Sequence, residues 1–195
     1  MNIISGKLRG LPLKAPAGMT TRPTAVRSRK ALFDSLGDLS GKVVADLFAG
    51  SGAVGLEAAS RGAASVWFAD SSPAAIRCIR ANLAKAEEPG CGTSFEILNL
   101  TLPEGAARLL SLAEPDLVFA DPPYAETLDR LSGLLADRAF TKWCRKAVLI
   151  WEVPQDRGLV PPPSEWILSG IRLFGGAKFA FFRRNNETEI HQKGV

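Results

Sequence analysis

The stretch Val43-Val-Ala-Asp-Leu-Phe-Ala-Gly-Ser-Gly-Ala-Val-Gly55 decides the fold of this chain. An apolar run ends near Asp46, a glycine-rich turn follows at Gly50, Ser51 and Gly52, and a helix-forming segment comes next. This order predicts a strand, a tight turn and a helix. Glycine lets the backbone adopt positive φ and approach a ligand closely, and the N–H groups at the start of a helix favour an anionic or polar ligand. The turn is therefore a candidate site for a small molecule.

This stretch leaves two classes of cofactor open. Gly50 to Gly55 matches the G-x-G-x-x-G pattern, and Asp70 follows eighteen residues after Gly52, so a nicotinamide or flavin nucleotide has to be considered. Asp46 favours S-adenosylmethionine, because a carboxylate four residues before the first glycine can face an ammonium group in the crevice. Nicotinamide cofactors carry no such ammonium. A turn that only connects the strand to the helix is the third interpretation.

Composition and length limit the class of protein. The chain has 195 residues, 46% of them hydrophobic and 23% charged, which is typical of one globular domain. Its cysteines, Cys78, Cys91 and Cys144, form no C-x-x-C pair, and His191 is the single histidine, so we expect no disulfide framework and no metal. With no signal peptide and no apolar run of about 18 residues, we expect a soluble, cytoplasmic protein without a membrane partner.

Positive charge is concentrated near the start of the chain. Residues 1–42 contain eight Lys or Arg and two Asp, whereas the whole chain has a net charge of +4. Such a surplus favours a polyanionic partner, since basic side chains gain affinity by releasing counterions from phosphates. A solvated basic surface without a partner is the alternative. The side chains expected to contact the partner are Lys7, Arg9, Arg22, Arg27 and Lys30.

Two elements are predicted in this basic segment. Apolar and basic residues interleave between Ile3 and Pro16, which favours a short hairpin that turns near Gly10. Pro23 is expected to keep the next loop from being helical, and Thr24 is then a suitable N-cap for a helix ending at Leu36.

From residue 41 onward, strand-like and helical runs alternate, which predicts an α/β fold with a mostly parallel sheet and helices on both faces. The last two of seven strand-like runs are joined by Gly175-Gly176 and predict an antiparallel hairpin. The predicted strands are 43–48, 65–69, 94–98, 116–120, 147–153, 166–174 and 178–183. We expect a basic extension over residues 1–40, a main domain over 41–184 and a polar tail over 185–195.

A second informative stretch, Asp116-Leu-Val-Phe-Ala-Asp-Pro-Pro-Tyr124, delivers Asp121 to the carboxyl edge of the sheet, where ligands bind in open α/β folds. The exocyclic amine of a nucleobase is a poor nucleophile, because its lone pair is delocalised into the ring. Asp121 and the Pro122 carbonyl can accept its hydrogens and direct the lone pair towards a methyl donor, while Tyr124 can stack on the base. An ordinary exit from strand to turn is the alternative.

Four other side chains are expected to be structural. Trp67, Trp151 and Cys78 are predicted in the core. Glu152 closes the fifth strand, where its carboxylate could meet substrate or a neighbouring Arg, and we expect the Arg.

With both stretches in view, the chain resembles the Rossmann-like class I methyltransferases, and closely the bacterial RsmD family of 16S ribosomal RNA guanine-N2 methyltransferases. Residues 46–58 and 121–124 carry this resemblance, together with residues 3–10 and 21–33. The two N-terminal segments separate the chain from methyltransferases at large, since residues 121–124 alone would also suit an adenine-N6 enzyme. The resemblance implies transfer of a methyl group from S-adenosylmethionine to the N2 of a guanine in 16S rRNA of a small ribosomal subunit, with the basic segment gripping RNA.

The resemblance also implies the cofactor contacts. Asp70 would bind the ribose hydroxyls, although the family usually has Glu there. After the third strand, where the family normally has an acidic residue for the adenine amine, this chain offers Asn99 and Thr101. The remaining contacts implied are Asp46, Phe48, Gly50, Ser51, Gly52 and Ser71.

Two other functions remain open. One is an adenine-N6 methyltransferase acting on DNA or RNA, and the other is an assembly factor that binds S-adenosylmethionine and the small subunit without catalysis. The stretch Asp121-Pro-Pro-Tyr124 argues against the second, because a pure binder has no use for a carboxylate that orients an amine. A monomer is the expected oligomeric state.

Overall fold

The structure is a computed structural model that describes residues 1–16, 23–87, 91–156, 158–159 and 161–185. Arg22 and most of the predicted tail lie outside these residues. Within them, one seven-stranded sheet has the order β3-β2-β1-β4-β5-β7-β6. The strands are β1 (Val43–Leu47), β2 (Ser65–Asp70), β3 (Ser94–Asn99), β4 (Leu117–Ala120), β5 (Val148–Val153), β6 (Trp166–Phe174) and β7 (Ala177–Arg184). The α-helices are α1 (Pro23–Leu36), α2 (Ala53–Ser60), α3 (Pro73–Glu87), α4 (Thr127–Ala136) and α5 (Arg138–Trp143).

The topology confirms the predicted fold class. Strands β1 to β5 pair in parallel, and β7 runs antiparallel to both β5 and β6. Each of the seven strands begins and ends within one residue of its predicted bounds. Apolar runs located the central strands β1, β2, β4 and β5 well, because strands buried on both faces carry few polar residues.

Helices cover the sheet on both faces. Helices α1, α2 and α3 share one hydrophobic cluster with the N-terminal residues Ile3, Leu8 and Leu13. Helices α4 and α5 share the other cluster, which contains Trp67 and Trp151 as predicted core residues. The N-terminal segment thus contributes to the same core as the strands.

The connection between β3 and β4 differs from the expectation of a helix between every pair of parallel strands. It contains only a six-residue 3₁₀ helix, Ala106–Ser111. Pro103 and Gly105 precede it, and a proline without an N–H donor and a flexible glycine both disfavour a longer α-helix.

The predicted N-terminal hairpin is reduced to one antiparallel bridge between Asn2 and Pro12. The chain does reverse here, since the N–H of Ile3 donates to the carbonyl oxygen of Leu11 at 3.0 Å and that of Gly10 to the carbonyl oxygen of Ile3 at 2.9 Å. Other backbone donors of the segment bond to side chains of α2. The N–H groups of Ile4 and Ser5 donate to the Glu57 carboxylate at 2.8 and 3.1 Å, and that of Leu8 donates to the Ser60 hydroxyl at 2.9 Å.

The start of α1 corrects a second expectation. The helix begins at Pro23 itself, so Thr24 lies inside it and is not its N-cap. A proline fits the first turn of a helix, because the N–H that it lacks would have no partner within the helix there. The end at Leu36 is as predicted.

Candidate active site

The glycine turn is held by two carboxylates near the ends of the neighbouring strands β1 and β2. The N–H of Gly55 donates to Asp46 at 2.9 Å, and the N–H of Gly50 donates to Asp70 at 2.8 Å. Gly55 also allows α2 to pack closely, since a Cβ there would lie 2.3 Å from the ring of Phe68. Two N–H groups that the sequence offered to an anionic ligand are therefore satisfied by the protein itself.

Negative charge converges on this turn. Asp46 is 4% exposed, and its burial raises its pKa to about 8. The hydrogen bond from Gly55 opposes that rise, the charges of Asp121 and Asp70 add to it, and the charge of Arg29 again opposes it. The charges of Asp121 and Asp70 thus act on Asp46, and a positively charged ligand beside Asp46 would relieve this repulsion.

This electrostatic arrangement discriminates between the two cofactor classes. A dinucleotide brings a pyrophosphate that needs N–H donors and is repelled by carboxylates. S-adenosylmethionine brings a sulfonium and an ammonium, both of which carry positive charge. The described residues around the turn fit the second cofactor.

The sheet register brings four of the candidate residues into one row. Asp70 pairs with Asn99, and Leu47, Ala120 and Trp151 lie opposite one another on β1, β4 and β5. The residues that directly follow these three are Phe48 and Asp121, just beyond the ends of β1 and β4, and Glu152 within β5. The resulting cross-strand row, in sheet order, is Asn99, Asp70, Phe48, Asp121 and Glu152.

Glu152 was not among the predicted site residues, and the structure gives it a contact with Tyr124, while the expected arginine partner stays a prediction. The hydroxyl of Tyr124 donates to Oε1 of Glu152 at 3.1 Å. Tyr124 is 48% exposed, so its ring remains accessible at this edge. The strand-end position was a usable signal that sequence reasoning discounted.

The loop after Asp121 is anchored through its carbonyls. The Thr127 hydroxyl, which is buried, lies 3.3 Å from the carbonyl oxygen of Pro122 and 3.1 Å from that of Pro123. The Pro122 carbonyl, predicted to accept a hydrogen from the substrate amine, is therefore already engaged through one of its two lone pairs.

Phe48 ends the glycine turn on the strand side and has an unusual backbone. Its φ is 56°, in the left-handed region that residues other than glycine rarely occupy. Its ring contacts Trp151 edge-on, with centroids 5.9 Å apart. Such a conformation concentrates at ligand sites.

The predicted adenine end is organised around Asn99. Its Nδ2 donates to the backbone oxygens of Asp70 and Ser71 at 3.0 Å each. Arg108 donates in turn to the backbone oxygen of Asn99 at 2.9 Å. Thr101 is exposed two residues further on. Asn99 thus fixes the loop after β2, a structural role that the sequence did not reveal.

The predicted RNA contacts lie on the surface but differ in their partners. Lys7, Arg9 and Arg27 are exposed. Lys30 forms an ion pair with Asp34 at 2.6 Å, which ties its charge to α1 itself. Arg22 lies outside the described residues.

Sequence reasoning missed the buried polar cluster that attaches the N-terminal segment. Arg29, one of the eight basic residues in the first 42 positions, is 6% exposed, and its Nε lies 3.8 Å from Glu57. Asn82 on α3 bonds both to the backbone of Lys14 and to the carbonyl oxygen of Ser51 in the glycine turn. One signal was present: Glu57 is the single charged residue of the otherwise small and apolar α2.

Three further observations concern the rest of the described chain. No group of three or more His, Cys, Asp or Glu within it could hold a metal ion. Among the same residues, no helix combines the length and hydropathy needed to cross a bilayer. A cavity of about 520 Å³, lined among others by Lys42, Asp116 and Arg145, lies at the opposite edge of the sheet, where β1, β4 and β5 begin.

Comparison with known proteins shows similarity over nearly the whole chain. A family model described as conserved hypothetical protein 95 matches residues 1–183. The putative rRNA methyltransferase YlbH of Bacillus subtilis (strain 168) is 36% identical over 138 residues, covering 69% of this chain and 72% of YlbH. Ribosomal RNA small subunit methyltransferase D of Escherichia coli (strain K12) is 31% identical over 202 residues, covering 97% of this chain and 92% of that protein.

Solved structures show the same similarity in the fold. The putative methyltransferase yhhF from Escherichia coli superposes with a TM-score of 0.70 at 26% sequence identity. The superposition covers 95% of this chain and 98% of that chain.

Proposed function

Because the chain belongs to the conserved hypothetical protein 95 family, the RsmD family of rRNA methyltransferases, we propose that it transfers a methyl group from S-adenosylmethionine to the exocyclic N2 of a guanine in 16S rRNA. The observation that carries this proposal is the convergence of Asp46, Asp70 and Asp121 on a glycine turn where the N–H groups of Gly50 and Gly55 already donate to two of them. A cationic methyl donor and a neutral amine suit that environment.

S-adenosylmethionine supplies an activated methyl group on a positively charged sulfur. Asp46 binds the ammonium at the methionine end of the cofactor, and that end is surrounded by Phe48, Gly50, Ser51 and Gly52. Asp70 binds the ribose hydroxyls, and Ser71, Asn99 and Thr101 surround the adenine. In this assignment Asp70 has two tasks, since its carboxylate also accepts the N–H groups of Gly50 and Ser72 at 2.8 Å each.

Asp121 and Tyr124 act on the substrate base. Tyr124 stacks on the guanine, a contact typically worth about 1–3 kcal/mol per base. Asp121 accepts a hydrogen of N2 and so directs the nitrogen lone pair. As the nitrogen becomes positive, the carboxylate stabilises that charge and then takes the proton. The Pro122 carbonyl contributes its remaining lone pair.

The substrate is rRNA within a small ribosomal subunit or its precursor, and the enzyme works as a cytoplasmic monomer. Support for the rRNA substrate comes from the similarity to ribosomal RNA small subunit methyltransferase D of Escherichia coli and from the exposed Lys7, Arg9 and Arg27. Residues 1–40 serve as the RNA-gripping extension of a methyltransferase domain over residues 41–184.

The test is transfer of labelled methyl to small subunits that lack their native modifications, with naked rRNA and genomic DNA in parallel and nucleoside analysis of the product. We expect label in N2-methylguanosine on the particle. Label in N6-methyladenine would replace the substrate assignment, and no label in any arm would contradict the enzymatic function.

Asp121→Ala is the matched variant for this assay. We expect transfer to fall by at least about 1,000-fold, because both the orientation of the amine and the proton acceptor are lost. Cofactor affinity, measured by calorimetry, should stay within about threefold. Full turnover by Asp121→Ala would contradict the role of Asp121 while leaving the methyltransferase function intact.

A further inference from the structure

The carboxylate of Glu152 lies beside the proposed substrate platform. Ala120, the last residue of β4, pairs with Trp151, and Asp121 and Glu152 are the residues that directly follow this pair. Neighbouring strands are about 4.8 Å apart, so the two acidic side chains start from adjacent positions on the same row. Paired residues of parallel strands also project to the same face of the sheet.

The contact with Tyr124 shows which space Glu152 faces. The Tyr124 hydroxyl donates to Oε1 of Glu152 at 3.1 Å, and the ring of Tyr124 is 48% exposed. A ring that stacks on the base and a carboxylate bonded to that ring border the same volume. An ionised carboxylate has about four lone-pair positions, so a ligand donor can share or replace the bond from Tyr124.

Guanine has the chemistry that two adjacent carboxylates can distinguish. Its N1–H and its N2 amine are neighbouring donors on one edge. Adenine presents an amine beside an N1 that carries a lone pair instead of a hydrogen. A carboxylate facing N1 therefore attracts guanine and repels adenine, since an ionised carboxylate can only accept hydrogen bonds.

Resting on the proposed function, we propose that Glu152 is the residue that selects guanine, by accepting the hydrogen bond of its N1–H while Asp121 holds the N2 amine. Tyr124 occupies the Glu152 acceptor when no base is present. When the base binds, N1–H provides a donor to the same carboxylate. A wrong base leaves that carboxylate facing a lone pair, and such mismatched polar groups give strong discrimination.

Glu152→Gln tests this selection, because an amide can donate to N1 as well as accept from it. The substrates are small subunits reconstituted with either guanine or 2-aminopurine at the position that the wild-type enzyme methylates. 2-Aminopurine keeps the N2 amine but carries a lone pair at N1. 2-Aminopurine also lacks the oxygen of guanine, but this loss affects the wild type and Glu152→Gln alike. It therefore cancels when the guanine-to-2-aminopurine rate ratios of the two enzymes are compared.

We expect Glu152→Gln to lose about 10- to 100-fold in kcat/KM on guanine, as for a lost charge-assisted hydrogen bond. On 2-aminopurine it should equal or exceed the wild type, so that the preference for guanine shrinks by at least about tenfold. Cofactor affinity should not change. Glu104→Gln, a matched substitution of an exposed carboxylate paired with Arg130, should leave both rates unchanged.

The outcomes separate the two proposals. If the wild-type enzyme makes N2-methylguanosine and Glu152→Gln keeps the same preference for guanine, the inference about Glu152 is wrong and the function stands. An equal loss on both bases would show a structural role and also overturn the inference. If the wild-type enzyme makes no N2-methylguanosine, the function fails and the inference fails with it.

Discussion

Asp46 and Glu57 are two buried carboxylates on either side of the glycine turn, and they differ in the hydrogen bonds and opposite charges that surround them. Glu57, fully buried, accepts the N–H groups of Ile4 and Ser5 and pairs with Arg29 and Arg61. Asp46, 4% exposed, accepts one N–H among the described residues and has a pKa raised by its burial to about 8.

The difference separates a structural carboxylate from one that is prepared for a ligand. Hydrogen bonds and counter-charges offset the desolvation of Glu57, so its charge holds the N-terminal segment on α2. The cost of burying the Asp46 charge is only partly offset in the protein alone, and a bound cation would offset the rest. Both carboxylates are buried, and they differ in how far hydrogen bonds and opposite charges compensate that burial.

Glu57→Gln should give the largest effect on stability. Removing this charge leaves Arg29 buried without its main partner, and a buried pair broken on one side typically costs about 3–5 kcal/mol. Urea unfolding would measure the loss. Glu104→Gln is the control and should stay within about 0.5 kcal/mol of the wild type, as for a surface substitution. A loss below about 1 kcal/mol for Glu57→Gln would contradict the structural role that separates Glu57 from Asp46.

Asp46→Asn should show the opposite profile. The amide can still accept the N–H of Gly55, so the folded protein should be at least as stable as the wild type at neutral pH. Cofactor affinity should fall on the order of 100-fold, because the ammonium loses its buried counter-charge. Calorimetry with S-adenosylmethionine measures this loss. Unchanged affinity would mean that Asp46 does not face the cofactor.

The pKa of Asp46 predicts a pH dependence for the protein without cofactor. Between the ordinary Asp pKa and about 8, the folded protein binds more protons at this site than the unfolded chain. The contribution of Asp46 to the free energy of unfolding therefore falls as pH rises through this window, by at most about 1.4 kcal/mol per pH unit. The stability of Asp46→Asn relative to the wild type should grow from pH 5 to 8 and then level off. A constant difference across that range would contradict the raised pKa.

Sequence reasoning located the carboxyl edge because its signals are local. Asp46 and Asp121 each follow or end an apolar run beside turn-forming residues, and parallel strands bring such ends together. The same logic applied to Glu152, yet a single carboxylate without a motif gave no reason to prefer substrate over an arginine. Only the register and the contact with Tyr124 made it a candidate.

The attachment of the N-terminal segment was beyond such reasoning, because its partners are distant in sequence. Glu57 binds residues more than fifty positions away, and no periodic pattern encodes that pairing. The prediction that Pro23 lies in a non-helical loop was wrong for another reason. A proline marks the first turn of a helix as readily as the loop before it.

Arg27 and Arg29 extend the comparison to the basic segment, where we expect the smallest effect. Two positions apart on α1, Arg27 is exposed and Arg29 is buried against Glu57. If Arg27 contacts a phosphate, Arg27→Glu should fold normally, weaken binding to small subunits several-fold and reduce the slope of log affinity against log salt by about 1. Filter binding over a salt series measures both quantities. Arg138→Glu makes the same charge change at an exposed position of α5, on the other face of the sheet, and should leave the slope unchanged. Equal changes in the two variants would mean that net charge, not a contact at Arg27, sets the salt dependence.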